Sequence, residues 1–309
     1  MQVFNFHNKT TKIPSSVVTL GNFDGVHLGH RSLVIATVQE AQTRGCTSSI
    51  VTFDPHPQEI IHSQQSVFRI CTSLHQLLLL EKLGIDEVHV IPFTRELSEL
   101  SPEEFALQFL IKRFDLKKLV IGYDFRFGKH RAGDFKLLEN LSKKYNFLLE
   151  EVSPVQVRGQ TVSSTLIREL IREYRFTEIP KYLGRDFSVF GPVEQGQQLG
   201  KNLGFPTANI LPSVTLALPE GVYISKIKLS GETHFGVTNV GKRPTFGNNS
   251  VTVETFIFDF DKIIYGENLE VIPLAQLRSE MKFANAKDLK TQIKKDIQTA
   301  RNYLVALET

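Results

Sequence analysis

Short apolar runs alternate with amphipathic stretches through the first half of the chain. Val17-Val18-Thr19-Leu20 is a strand-like run stopped by Gly21, and a helical spacing follows through Leu33, Ile35, Ala36 and Val38 to Gly45. Ser49-Ile50-Val51-Thr52-Phe53 is a second such run, ended by Asp54-Pro55. A leucine-rich helix is predicted over residues 74–83, closed by Gly84. Val88-His89-Val90-Ile91 and Leu119-Val120-Ile121-Gly122 read as further strands. Helices are predicted over residues 102–114, with Ser101, Pro102 and Glu104 spaced as a capping box, and over Phe135–Tyr145. Continuous apolar strands separated by helices specify a parallel sheet covered on both faces. Ligands bind such sheets beyond the strand C-termini. The polar loops after Leu20, Phe53 and Ile121 are therefore expected to line one site.

The period changes after about residue 185. Gly221–Leu229 alternates apolar and polar residues in its second half, and Ser230-Gly231-Glu232 turns it into a partner at residues 234–240. Runs at 251–259 and 269–277 follow, a pattern that fits an antiparallel barrel or a sandwich. The chain then closes on an amphipathic helix over residues 286–304, with Leu289, Ile293, Ile297, Ala300 and Leu304 on one stripe. The switch of period places a domain boundary near residues 182–186.

Composition narrows the class. The chain has 309 residues, 41% of them hydrophobic and 22% charged. At roughly 150 residues per domain that is length for two. The two cysteines, Cys46 and Cys71, exclude a disulfide framework and a zinc knuckle. They fit a reducing cytoplasm, and the opening MQVFNFHNKTTK lacks the pattern of a signal peptide. No apolar run approaches the ~20 residues that span a bilayer, so no membrane partner is expected. A net charge of +3 suits anionic small molecules and is too weak to argue for nucleic acid. Nothing in the sequence specifies an oligomer.

The loop after the first strand reads Gly21-Asn22-Phe23-Asp24-Gly25-Val26-His27-Leu28-Gly29-His30. His27 and His30 fall on one side of the first turn of a helix, where unpaired N–H groups and the positive dipole end also point. Glycines admit a bulky anion to the backbone. Such a loop is either a phosphate cradle with two imidazole donors or a turn with two surface histidines. Zinc lacks further ligands at usual spacing. The string resembles the GxFDGxHxGH signature of the HxGH nucleotidyltransferases. A second element of that superfamily, ISSTxIR, is matched by Val162-Ser163-Ser164-Thr165-Leu166-Ile167-Arg168. Alone it would equally describe an N-cap serine and a solvated arginine. In Gly122-Tyr123-Asp124-Phe125-Arg126-Phe127-Gly128 the aromatics either stack on a flat ring or anchor the loop.

In the second half Gly196, Gly200 and Gly204 recur at four-residue spacing before Phe205-Pro206-Thr207-Ala208-Asn209. The spacing reads as a flexible loop rather than a helix or strand. Thr207 and Asn209 offer neutral oxygens two residues apart, on one side of an extended stretch, suited to Mg²⁺ shared with ATP phosphates. Glu254 lies in an apolar, alternating run, either on an exposed face or in a pocket.

Taken together, these strings resemble the bacterial bifunctional riboflavin kinase/FMN adenylyltransferase (FAD synthetase) family over essentially the whole chain. Residues 236–247 (GVTNVGKRPTFG) and 277–283 (LRSEMKF) extend the match. The resemblance implies a Rossmann-like α/β nucleotidyltransferase domain, residues 1–182. It implies a β-barrel riboflavin kinase domain with a terminal helix, residues 183–309. Riboflavin, FMN and ATP are the implied partners, with Mg²⁺ beside ATP and flavins as substrate and product. Glu254 is implied as the kinase base, and His27, His30 and Arg168 as the adenylylation groups. Gly21, Phe23, Asp24, Gly25, Ser163, Ser164 and Thr165 are implied at the ATP phosphates of the first site, and Gly196, Gly200, Gly204 and Pro206 at those of the second. Thr207 and Asn209 are the implied metal ligands. Asp54, His56, Asp124, Phe125, Arg126, Arg278 and Phe283 are implied at flavin. Tyr123 stands where the family usually has an acidic or small residue, and Gln197-Gln198 where it is often basic; both positions vary. An adenylyl- or cytidylyltransferase for another substrate would leave Gly204–Asn209 unexplained, and a flavin carrier would consume no ATP.

Overall fold

Val17, Val18, Ile50, Val51, Leu119, Val120 and Ile121 have no solvent exposure, the state of strands covered on both faces. In the computed structural model, which describes residues 1–5, 13–61, 67–196, 200, 203–242 and 251–308, they belong to one six-stranded sheet. Its strands are β1 (Gln2–Asn5), β2 (Ile13–Leu20), β3 (Thr47–Phe53), β4 (Glu87–Ile91), β5 (Phe114–Gly122) and β6 (Leu148–Val152). The order is β1-β4-β3-β2-β5-β6, and every pair is parallel. Val18, Leu20, Val51, Leu119 and Ile121 pack on one face with Phe105, Leu110 and Leu138. On the other face Ile50 and Val88 meet Val34, Val38 and Leu80, while Val17 and Val120 meet Ala41. β3 and β5 flank β2 on opposite sides, so chain order reverses at β2. The loop after Leu20 therefore sits at the topological switch point.

Two strands escape the pattern because they are edges. β1 is exposed at all four positions and β6 is nowhere fully buried, so neither carries a continuous apolar run. The helix expected over residues 102–114 is shorter than its pattern. The capping box forms, with Ser101 N–H donating to Glu104 Oε2 at 2.9 Å, but α-geometry ends at Ala106 and a π-turn spans Leu107–Ile111. Phe114 is instead the first residue of β5, fully buried and edge-on to the His89 ring at 5.1 Å. Burial in the sheet outweighs helical spacing there.

His89 is itself buried in β4, with Nε2 2.9 Å from Glu87 Oε2 and its ring stacked on Phe4. Burial holds its pKa below the usual 6.5; Arg113 acts in the same direction and Glu87 opposes. A depressed imidazole pKa contributes stability above 6.5 that is lost as pH falls toward the folded value. The urea midpoint is expected to fall between pH 7.5 and 5.5, and His89→Leu to flatten that fall. An unchanged slope in the variant would remove His89 as its source.

The described residues form two compact units, Met1–Val67 with Gln76–Ser163, and Phe68–His75 with Ser164–Thr309. The first also holds the hairpin β7 (Gln156–Val157) and β8 (Gln160–Thr161). The second is built on β9 (Val189–Pro192), β10 (Ala208–Ile210), β11 (Gly221–Leu229), β12 (Glu232–Lys242), β13 (Val251–Ile257) and β14 (Asn268–Arg278). Their order is β10-β13-β12-β11-β14-β9, antiparallel throughout. Glu194 N–H donates to the Asn209 carbonyl at 2.8 Å and brings the two edges together, so the sheet is a nearly closed barrel and not a sandwich. Val240, Val253, Tyr223 and Thr255 are fully buried. Phe235, Val237 and Phe256 are covered by Ile297, Tyr303 and Leu304 of the terminal helix Ala286–Glu308. Phe68–His75 joins this unit by main-chain bonds from Arg69 N–H to the Thr215 carbonyl (2.8 Å) and from Ala217 N–H to the Arg69 carbonyl (2.7 Å).

Candidate active sites

β2 ends at Leu20, and the helix Leu28–Arg44 begins eight residues later. Phe23 (φ 49°), Gly25 (φ 79°) and Val26 (φ 41°) all take left-handed backbone between them. For the β-branched Val26 this is a genuine outlier, of a kind that clusters at functional loops. The strain is held by the fully buried Phe23 ring and by an N–H bond from Val26 to the Phe23 carbonyl at 3.0 Å. His27 caps the helix, its Nδ1 accepting from His30 N–H at 3.2 Å. That bond fixes the tautomer, leaving Nε2 to carry the proton of a neutral ring. The two imidazoles stack with centroids 3.6 Å apart, and Phe23 supports His30 from 5.2 Å. A methyl group on Gly29 would lie 3.2 Å from the His27 ring and 3.7 Å from the Val162 carbonyl. The histidine turn and the start of the second motif are thus adjacent.

The loops after the neighbouring strands flank this turn, as the parallel-sheet reading expects. After β3, Asp54 is exposed and its N–H donates to the Ile91 carbonyl at 3.1 Å; His56 is buried, its Nδ1 accepting from Gln58 N–H at 3.2 Å. After β5, Asp124 and Arg126 are exposed, while Phe125 stacks on the buried Phe127 at 5.5 Å. Phe127 anchors the loop to the core, and Phe125 is half-buried beside it. Ser163 closes the first unit; Ser164, Thr165 and Arg168 belong to the second. Ser164 opens the helix Ser164–Arg172, and Arg168 Nε donates to the Phe68 carbonyl at 2.7 Å.

In the barrel, Glu254 of β13 lies directly opposite Asn209 of β10 and Asn239 of β12. Directly opposed residues share a face, so the three form one row across three strands. Asn209 is buried and Glu254 half-buried. Asn209 Nδ2 donates to the Thr207 carbonyl at 3.1 Å, which orients the amide. Phe205 packs edge-on against Phe256, two residues from Glu254 and on its face, with centroids 5.6 Å apart. The glycine-rich segment is not all loop. Gly200 and Leu203 are helical, Gly204 turns left-handed (φ 88°), and Phe205 N–H donates back to the Gly200 carbonyl at 2.8 Å. That bond and the left-handed Gly204 are features of a Schellman closure, where spacing alone suggested a flexible loop. Pro206 is exposed just beyond it. Residues 197–199, 201, 202 and 243–250, which include Gln197-Gln198 and the end of the GVTNVGKRPTFG string, lie outside the described residues.

A profile of the FAD synthetase family matches residues 9–166, and one of the riboflavin kinase family matches residues 183–304. The bifunctional riboflavin kinase/FMN adenylyltransferase of Haemophilus influenzae is 36% identical over 96% of this chain and 97% of its own length. The chain belongs to the bifunctional riboflavin kinase/FMN adenylyltransferase family. It is an enzyme with two activities, taking riboflavin to FMN and FMN to FAD. Relatives of the same name from Escherichia coli K12 (33% identical, 93% of this chain, 92% of theirs) and Listeria monocytogenes (34%, 95% and 94%) agree. A crystal structure described as a macrolide-efflux protein of Streptococcus pneumoniae superposes with a TM-score of 0.74 at 27% identity, over 98% of this chain and 99% of that one. Among the described residues of this family member, no helix is long and apolar enough to cross a membrane.

The Glu254 row contains one residue that sequence reasoning did not single out as a site residue. Asn239 was visible only as part of the 236–247 string, and strand register is what sets it beside Glu254. Gly196 touches the row directly: a methyl group there would meet Asn209 Nδ2 at 2.6 Å. Gly196→Ala is therefore expected to displace the Asn209 amide and lower riboflavin phosphorylation about tenfold, leaving FMN adenylylation unchanged. Separate assays with riboflavin and with FMN read the two effects in one preparation.

Proposed function

We propose that residues 183–309 carry the kinase reaction and residues 1–182 the adenylylation, a division supported by the two family profiles. The observation that carries the kinase assignment is the row Asn209–Glu254–Asn239 beside the glycine-rich turn. Glu254 accepts the proton of the ribityl 5′-hydroxyl as that oxygen attacks the γ-phosphorus of ATP, the bond to the β,γ-bridging oxygen breaks and ADP leaves. Gly196, Gly200, Gly204 and Pro206 lie along the ATP phosphates, and the loop at Arg278–Phe283 lies toward the flavin.

The residues fit Mg²⁺ as a companion of ATP. Thr207 and Asn209 supply hard neutral oxygens, and the bond from Asn209 Nδ2 to Thr207 leaves the amide oxygen turned away from it. Among the described residues no group of three His, Cys, Asp or Glu side chains could hold a metal, so ATP itself would complete the shell. Bound there, the ion supplies charge neutralisation at the transferring phosphoryl group.

In the adenylylation, an FMN phosphate oxygen attacks the α-phosphorus of a second ATP and pyrophosphate leaves. The attacking oxygen is already anionic, so no covalent enzyme intermediate is required. His27 and His30 donate to the charge developing on the α-phosphate, with Gly21, Phe23, Asp24 and Gly25 shaping the anion-binding turn and Ser163, Ser164, Thr165 and Arg168 serving the phosphates. Asp54, His56, Asp124, Phe125 and Arg126 flank the flavin side. Small molecules are the only partners proposed, with a cytoplasmic setting and no nucleic acid or membrane. Chromatography after incubation with Mg·ATP and either riboflavin or FMN tests the whole reading. Flavin binding with no ATP consumed would overturn it.

A further inference from the structure

Arg278 ends β14 and opens the loop 279–283. Its Nε donates to both oxygens of Asp296 at 3.2 and 3.1 Å, and Nη2 donates to Oδ2 at 2.9 Å. Gln292 Nε2 donates to Asp296 Oδ1 at 2.7 Å. Asp296 is 6% exposed on the terminal helix, an unusual place for a carboxylate and one tolerated because it is paired. The same guanidinium holds both ends of the loop. Nη1 donates to the Ser279 carbonyl at 3.0 Å, and the group lies 5.8 Å from the centre of the Phe283 ring.

The helix that supplies Asp296 is firmly seated. Ala300, one turn on, is fully buried against Ile224 and Phe258. Arg301 makes a second tie to Asp259, at 2.8 and 3.0 Å, and lies over the Phe258 ring. Within the loop, Glu280 presses its carboxylate onto Gly241, where a methyl group would overlap it. Gly241 is two residues along β12 from Asn239, at the end of the Glu254 row. A buried ion pair is weak evidence for stability, because desolvation offsets its attraction. Its use here is geometric.

We propose that Asp296, supported by Gln292, is a positioning residue of the kinase reaction: through Arg278 it holds the loop 279–283 against the β12 end of the Glu254 face and thereby sets the affinity for riboflavin. The proposal rests on reading that face as the kinase site, and it makes the contribution of Arg278 to flavin binding indirect. In the full chain, Asp296→Asn is expected to raise KM for riboflavin about tenfold while kcat stays within about twofold. FMN adenylylation is expected to be unchanged, which reports on folding in the same molecule. Trypsin is expected to cut faster after the exposed Lys282, and Gln292→Leu to shift both readouts the same way by less. An unchanged KM with unchanged cleavage overturns the clamp, as does equal loss of both activities, which would make the pair a general element of stability. The underlying reading fails separately, if Glu254→Gln leaves riboflavin phosphorylation intact.

Discussion

Glu254→Gln is expected to lower riboflavin phosphorylation by about 10²–10⁴-fold, the range for loss of a general base, with FMN-to-FAD conversion unaffected. Glutamine keeps the size and shape of the side chain, but it loses the charge and basicity and turns one acceptor oxygen into a donor amide. β13 pairs with β10 and β12 on both sides of this position, so the backbone at Glu254 has no reason to move. The substitution therefore isolates proton acceptance from architecture. A preparation converting neither riboflavin nor FMN would contradict the separation of the two reactions.

The mirror-image result is expected from His30→Ala. Removing one preorganised donor at a developing oxyanion costs about 10²–10³-fold, and FMN adenylylation should fall by that much while phosphorylation of riboflavin persists. His30 also stacks on His27 at 3.6 Å, so its loss frees the neighbouring ring as well. The cap bond survives, because His27 Nδ1 accepts from the main-chain N–H of residue 30, which alanine retains. His27→Ala removes the cap too and is expected to cost thermal stability in addition, by about 1 kcal/mol. If His30→Ala makes FAD at the normal rate, the imidazole has no part in the reaction.

In the parallel sheet, sequence pattern located the strands buried on both faces and missed the edges. Val17-Val18 and Leu119-Val120 announce themselves because no position on them meets water, whereas β1 and β6 are half-wet edges without such a run. β9 and β10 have only four and three residues, too short for alternation to register. His27, His30 and Asn209 stand out by residue type at fixed spacing, and Glu254 only through the family resemblance. Neighbours set by the fold are not legible in this way. Asn239 lies opposite Glu254 only through antiparallel register, and Asp296 meets Arg278 through the docking of a helix. Both are relations across the fold that local spacing does not encode.

Phe68–His75 has a consequence for how the protein is made. The segment interrupts the first unit in sequence, yet its main-chain partners, Thr215 and Ala217, are synthesised much later. On the ribosome it emerges with the sheet of the first unit, well before those partners. The second unit is therefore a long-range assembly rather than a contiguous one, and it includes a piece of chain far from the rest of it in sequence. A polypeptide starting at Ser164 would contain every kinase residue named above and still lack one of its own structural pieces.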